Sequence, residues 1–100
     1  MTRRVALRPA AEADIDAAAA WLEEQSPCSA ARFWRAVDET LRRLQQNPLQ
    51  YQRVVGQARR APLRRFGYAL FYLVYEHEIV VVACTHGSRH PKRWQERIPE

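Results

Sequence analysis

Cys84, His86 and His90 are the residues of this sequence whose types could bind a metal or act as a nucleophile and its base. Cys84 and His86 are two residues apart in a predicted strand, so their side chains share a face. However, the sequence has no second cluster of ligands at the spacing of a zinc site. A nucleophilic pair is also disfavoured, because the Cα atoms of Cys84 and His86 would be roughly 6–7 Å apart and no acid is placed to orient the imidazole. We therefore predict a buried thiol, two surface histidines, no metal and no cofactor.

Nucleotide chemistry and paired-carboxylate chemistry find no support in the sequence. The three glycines form neither a GxGxxG nor a GxxxxGK arrangement, which argues against a phosphate-binding loop. The acidic residues fall mostly on the predicted solvent faces of helices, where they serve most simply as a solvated surface.

Arginines are the main remaining candidates for a binding site. The formal net charge is +5, and residues 1–50 carry seven arginines and seven acids, so the whole excess lies in residues 51–100. The candidate cations flank Pro62 and Leu63 and continue in the C-terminal tail: Arg59, Arg60, Arg64, Arg65, Arg89, Lys92, Arg93 and Arg97. A rim of guanidinium groups could hold a phosphate backbone or stabilise a phosphoryl transition state. The alternative is a solvated basic edge that keeps a small domain soluble and discourages pairing of sheet edges.

Two helices are predicted before these basic segments. A short alternating strand over residues 3–8 ends at Pro9. Residues 10–25 then form a helix, because apolar residues recur at helical spacing: Ala11, Ile15, Ala18 and Leu22. A second helix should begin with Ser26 as N-cap and Pro27 at its first position, and end at Asn47. The short connection makes the two helices an antiparallel hairpin.

Three strands are predicted in the second half. Pro62 makes residues 59–65 an edge strand. Residues 68–75 and 79–84 are apolar and rich in aromatic and β-branched residues, and the three residues between them allow only a tight hairpin. Both strands should be central in the sheet, with the helices on one face and solvent, a partner or the tail on the other. The predicted order is β-α-α-β-β-β, an α+β fold with a helical hairpin packed on a small, largely antiparallel sheet.

Length and composition favour a single domain over residues 1–100, with 47% hydrophobic residues. No apolar run approaches the length of a membrane span and no signal peptide follows the N-terminal arginines, so neither membrane insertion nor secretion is predicted. Cys28 and Cys84 are too few for a disulfide framework and are expected to be free thiols in the cytoplasm.

Four strings of the sequence form a series: residues 7–15 (LRPAAEADI), 44–48 (LQQNP), 64–72 (RRFGYALFY) and 86–94 (HGSRHPKRW). In order and spacing they resemble the RelE/ParE superfamily of type II toxin–antitoxin toxins, most nearly its ParE branch. The first two are similar to the opening strand and helix start of that family and to the end of its second helix. The last two resemble its R-x-F-P-Y-x-(I/L)-x-Y and closing H-x-x-R-x-P-x-x-W patterns. The resemblance covers nearly the whole chain and implies the RelE/ParE fold.

The resemblance also implies a protein partner. A cognate antitoxin would hold the toxin inactive by wrapping it with a disordered C-terminal segment that folds on binding. The apolar faces and basic rim of the chain suit an acidic amphipathic segment. The expected contacts with the antitoxin are Arg59, Arg60, Arg64, Arg65, Tyr68 and Tyr72. Operator DNA would be bound through the antitoxin alone.

Two activities occur within the superfamily, namely ribosome-dependent mRNA cleavage by RelE-like members and inhibition of DNA gyrase by ParE-like members. The residues available to a nuclease would be Arg64, Arg65, His86 and Arg89. Thr85 stands where a basic residue is expected, residues 50–65 contain no lysine, and no tyrosine follows Tyr75. Because this nuclease set is incomplete, gyrase inhibition is the favoured prediction and a ribosome-dependent endoribonuclease is the alternative.

Two tryptophans are expected to mark protein contacts. Trp94 lies in the basic tail, where periodicity does not place it in the core, and Trp and Arg are common interface anchors. The predicted gyrase-binding residues are Arg89, Pro91, Lys92, Arg93 and Trp94. Trp21 lies off the apolar stripe of the first helix, so a homodimer through the helical hairpin could cover it.

Overall fold

The computed structural model describes residues 3–87 and 92–98, with the backbone alone at Lys92 and Arg93. Its elements in chain order are β1 (Arg4–Leu7), α1 (Pro9–Gln25), α2 (Ser29–Gln46), β2 (Arg53–Val55), β3 (Ala58–Leu63), β4 (Tyr68–Val74), β5 (Glu78–His86) and α3 (Lys92–Gln95). The predicted helical hairpin lies on a five-stranded sheet of order β1-β5-β4-β3-β2. The predicted α+β class is confirmed. Across the described residues, no helix combines the length and the apolar character needed to cross a membrane.

The junction between α1 and α2 differs from the prediction. Ser26 is the C-cap of α1 rather than the N-cap of α2, which begins at Ser29 after Cys28. The first free N–H groups of α2 are bound instead by α1, because the Glu23 carboxylate accepts hydrogen bonds from the backbone N–H of Cys28 at 3.1 Å and of Ala30 at 3.0 Å. Both bonds lower the pKa of Glu23, and the bond from Ala30 has the larger effect.

The sheet contains one strand that the sequence did not predict, β2. It pairs antiparallel with the start of β3, with Arg53 opposite Arg59 and Val55 opposite Ala58. Pro62 lies beyond this pairing, where β3 is again the edge of the sheet, which explains how a proline is tolerated in a paired strand. β1 is parallel to β5, and the other pairs are antiparallel.

Hydrophobic side chains lie on both faces of the sheet, as predicted for central strands. On one face α1 and α2 pack on alternate residues of β4, namely Tyr68, Leu70 and Tyr72. Phe71 and its neighbours point to the opposite face. β5 carries a β-bulge at Val82, where its register with β4 shifts, so Val82 and the next residue both face away from the helices.

The C-terminal segment covers the face opposite the helices. Trp94 of α3 is 4% exposed, and its ring stacks on Phe71 with centroids 3.8 Å apart. Ile98 packs against the same hydrophobic layer. The expectation of a solvated Trp94 is therefore wrong. The apolar second face of β4 and β5 must be covered, and Trp94 is a large apolar side chain that the tail can supply.

Candidate functional site

Two clefts bring polar and aromatic side chains together. The first, the arginine groove, has a volume of about 430 Å³ and is lined by Arg32, Arg35, Ala36, Glu39, Arg43, Arg64, Arg65 and Phe66. The second, the β5 cleft, has a volume of about 170 Å³, and its walls include Asp14, Trp21, Tyr68, Cys84, Thr85, His86, Trp94 and Arg97. The sequence provides different chemistry in each cleft.

The arginine groove has one wall on α2 and one on the β3–β4 turn. Arg32, Arg35, Glu39 and Arg43 are spaced by three or four residues, which places them on one face of the helix. The other wall is the turn carrying Arg64 and Arg65, followed by Phe66. The Phe66 ring makes a T-shaped contact with the buried Phe33 of α2, with centroids 5.4 Å apart. This contact fixes the turn against the helix.

Arg65 has an unusual backbone conformation. Its φ is +78°, in the left-handed region that favours glycine. The turn therefore carries an exposed guanidinium at a position where glycine would relieve strain. Strained positions of this kind are often found at functional sites.

The charged side chains of the arginine groove are nearly all positive. Five guanidinium groups line it, against one carboxylate, that of Glu39. Within residues 3–87 and 92–98, none of these five guanidinium groups forms an ion pair or donates a hydrogen bond. The groove is therefore a surface of positive potential that an anionic ligand would neutralise.

The charges of the β5 cleft are instead paired within the fold. β5 continues beyond Val81, where its pairing with β1 ends. Past that point the Asp14 carboxylate accepts hydrogen bonds from the Cys84 backbone N–H at 3.1 Å and from the Arg97 guanidinium at 2.8 Å. Arg97 also donates to the Val82 carbonyl at 3.0 Å. The Asp14–Arg97 ion pair thus provides hydrogen-bond partners for backbone groups at the exposed edge of β5 and connects the C-terminal segment to α1.

The β5 cleft does not hold an activated thiol. Burial, and to a smaller extent the charge of Asp14, raise the pKa of Cys84 to about 12, so the thiol stays protonated at neutral pH. The His86 ring makes a T-shaped contact with Tyr68, with centroids 5.1 Å apart. Gly67, at φ +74°, leaves room for this ring, because a Cβ there would lie 2.7 Å from His86 Nε2. Among the described residues, no group of three His, Cys, Asp or Glu side chains could hold a metal ion.

Comparison with known families identifies the chain. The model of the ParE toxin of the type II toxin–antitoxin system parDE matches residues 5–91. The chain belongs to the ParE toxin family. A solved structure titled "Chromosomal ParDE TA system from P. aeruginosa" is 21% identical, with a TM-score of 0.75, and the match covers 85% of this chain and 96% of that chain. This likeness shows a common fold. Comparison with curated proteins gave no match.

The residues predicted to contact an antitoxin do not share one surface in this ParE-family chain. Arg64 and Arg65 lie in the arginine groove, and Arg60 is exposed on β3. The Arg59 guanidinium turns inward and donates to the Tyr51 carbonyl at 2.6 Å.

Tyr68 and Tyr72 belong to the hydrophobic core of this chain. Tyr72 is fully buried, and its hydroxyl donates to the Pro48 carbonyl at 2.7 Å. Burial raises the pKa of Tyr72 to about 12, against the opposing effect of nearby Arg59. Direct contact between Tyr72 and a partner would require the core to open, so the structure corrects the placement of Tyr72 on a binding surface.

The predicted nuclease residues line different clefts. Arg64 and Arg65 line the arginine groove, whereas His86 lines the β5 cleft. Arg89 lies outside the described residues.

The predicted gyrase-binding residues are described only in part. Arg89 and Pro91 lie outside the described residues, and the side chains of Lys92 and Arg93 are not described. Trp94 is buried, so in this conformation it anchors the segment rather than offering its ring to a target. Trp21 is 51% exposed on α1, and a dimer through the hairpin stays a prediction.

Sequence reasoning missed the α2 wall of the arginine groove and the role of Asp14. The predicted basic set contained none of the three arginines of this wall, Arg32, Arg35 and Arg43. Together with Glu39 they follow one another at steps of three or four residues, but the turn that faces them begins 21 residues after Arg43 and 32 residues after Arg32. The hydrogen bonds of Asp14 to β5 and to the tail left no signal in the sequence.

Proposed function

We propose that this chain is the toxin of a type II toxin–antitoxin pair, that a cognate antitoxin neutralises it, and that it inhibits DNA gyrase. The ParE-family match over residues 5–91 carries the proposal. The resemblance of the sequence to the ParE branch implies gyrase as the target, and a gyrase inhibitor acts in the cytoplasm.

The nuclease candidates line two neighbouring clefts rather than a single one, which favours an inhibitor over an endoribonuclease. A general acid and the cations that stabilise a phosphoryl transition state must reach the same phosphodiester. His86 lines one cleft, and Arg64 and Arg65 line the other. This arrangement supports recognition of a protein target more than cleavage of RNA.

A cognate antitoxin is proposed on the basis of family and charge. The related P. aeruginosa structure is titled as a ParDE toxin–antitoxin system. In this chain Arg60, Arg64 and Arg65 are exposed and basic, which suits an acidic partner segment. We further propose that operator DNA is bound through the antitoxin, not by this chain alone.

The proposed gyrase-binding surface is the basic C-terminal segment. The segment contains Arg89, Pro91, Lys92 and Arg93. Trp94, which follows them, holds the end of the segment in place by stacking on Phe71. Trp94 is thus a positioning residue in this proposal, and the neighbouring cations make the contact.

Two assays on purified protein test the target. Wild-type protein is expected to inhibit supercoiling by gyrase and to leave ribosome-bound mRNA intact. The double variant Lys92→Ala/Arg93→Ala should weaken inhibition roughly tenfold or more, the scale of losing interface contacts worth more than 1 kcal/mol. Arg42→Ala/Arg53→Ala removes the same charge from exposed positions elsewhere and should inhibit as the wild type does.

The outcomes separate the three classes of function. Unchanged supercoiling together with cleaved mRNA would assign the chain to the endoribonucleases. Neither activity, together with harmless expression in the absence of the antitoxin, would make it a binding module without toxicity. Inhibition that the tail variant retains in full would overturn the proposed surface while leaving gyrase as the target.

A further inference from the structure

The arginine groove extends the basic surface onto a helix that the proposed function does not use. Arg32, Arg35 and Arg43 form one wall and Arg64 and Arg65 the other, and all five side chains are exposed. A ligand lying between the walls would therefore meet cations from both sides.

The charges along α2 have a definite order. From Arg32 to Arg43 the wall spans eleven residues, or about 16 Å at the helical rise. Two arginines come first, Glu39 follows, and Arg43 comes last. Phe66, partly buried, adds apolar surface to the side facing α2.

These guanidinium groups have no acidic partner in residues 3–87 and 92–98. Five like charges around one groove repel one another, and a ligand with several negative charges would relieve that repulsion. Arginine also binds a carboxylate through two parallel hydrogen bonds. The groove is thus suited to a ligand that presents several anionic groups along its length.

The position of Glu39 favours a peptide over a nucleic acid strand. A phosphodiester backbone has a negative charge at every nucleotide, so one of its phosphates would lie near the Glu39 carboxylate. A peptide can place an uncharged or basic side chain opposite Glu39 and an apolar one against Phe66. We propose that the arginine groove binds an acidic segment of the antitoxin, with carboxylates opposite Arg32 and Arg35 and again opposite Arg43, Arg64 and Arg65. This inference rests on the proposed neutralisation by an antitoxin.

The test measures the affinity of this chain for a candidate antitoxin, the full-length product of a small acidic reading frame adjacent to its own. Arg35→Glu/Arg43→Glu should raise the Kd about 100-fold, because each substitution replaces an attraction by a repulsion. Arg42→Glu/Arg53→Glu makes the same charge change at exposed positions outside the groove and should raise the Kd less than about threefold. Glu39→Gln should lower the Kd about threefold, a gain that misfolding cannot produce. Circular dichroism checks that each variant is folded.

Each outcome decides a different point. If wild-type protein does not bind the antitoxin, the proposed neutralisation is wrong and the groove assignment with it. If it binds and the groove variant matches its control, the groove assignment fails while the proposed function stands. If the groove variant keeps antitoxin affinity but loses binding of a single-stranded oligonucleotide, the occupant is a nucleic acid and the proposal is overturned.

Discussion

The β5 cleft and the arginine groove both contain arginine and aromatic side chains, but they use them differently. In the β5 cleft, Arg97 is bound to Asp14 and to a backbone carbonyl, and Trp94 is stacked on Phe71. In the arginine groove, the guanidinium groups have no ion pair with any described residue.

This difference separates stability from recognition. Side chains that satisfy each other inside the fold lower its free energy, and removing one leaves a cavity or an unpaired group. Exposed cations that repel one another contribute little to stability and become useful when a partner neutralises them. Substitutions in the β5 cleft should therefore lower the free energy of unfolding, whereas substitutions in the arginine groove should lower the affinity for a partner.

The largest effect is expected at Trp94. Trp94→Ala removes the buried ring that stacks on Phe71 and should lower the free energy of unfolding by about 3 kcal/mol. Trp34→Ala removes an equal ring that is 41% exposed on α2 and should cost less than about 1 kcal/mol. Urea unfolding followed by far-UV circular dichroism measures both. Equal losses would show that the tail contributes no more to stability than an exposed helix position.

A second effect should arise from Cys84 at alkaline pH. Its pKa is raised to about 12 in the folded protein, from an ordinary value of 9.0, chiefly by burial. The thiol of the unfolded chain loses its proton near pH 9, whereas the thiol of the folded protein keeps it until the pH approaches 12. The free energy of unfolding is therefore unaffected below pH 9 and falls as the pH rises from 9 towards 12. At pH 10 this lowers the free energy of unfolding by about 1 kcal/mol relative to pH 7.

Unfolding curves under reducing conditions between pH 7 and pH 10 check this dependence. Cys84→Ala provides the control, since its stability should decline less over that range. Tyr72, whose pKa is also about 12, adds to the loss only as the pH passes 10. A decline as steep in Cys84→Ala as in the wild type would mean that the thiol is not responsible.

The sequence predicted the elements whose signals are local. α1 has an apolar stripe over about three turns, and β4 and β5 are apolar on both faces, so their types and order were confirmed. β2 was missed because its three residues have no apolar run of their own and depend on pairing with β3. The N-terminus of α2 was placed too early because Glu23, from the preceding helix, provides the cap.

The two clefts were harder to predict because each joins distant parts of the chain. Whether Trp94 is buried depends on which face of β4 and β5 lacks a cover, and the sequence left that face open to three alternatives. The arginine groove requires α2 and the β3–β4 turn to meet, a contact fixed by Phe33 and Phe66. Local patterns identify candidate arginines, but only the fold shows which of them face one another.

The smallest effect should be a gain of stability at Arg65. Arg65→Gly removes a side chain from a left-handed residue and should raise the free energy of unfolding by up to about 1 kcal/mol, while weakening antitoxin binding. Cys28→Gly is the matched control, because Cys28 has a similar φ of +68° and lies outside the groove. Cys28→Gly should gain a similar stability without loss of affinity. Thermal unfolding and titration with the antitoxin compare the two variants. If both variants lose affinity equally, the loss comes from the relieved backbone and not from the missing Arg65 guanidinium. If only Arg65→Gly loses affinity, the guanidinium is needed for binding, and the strained conformation at this turn is kept for recognition.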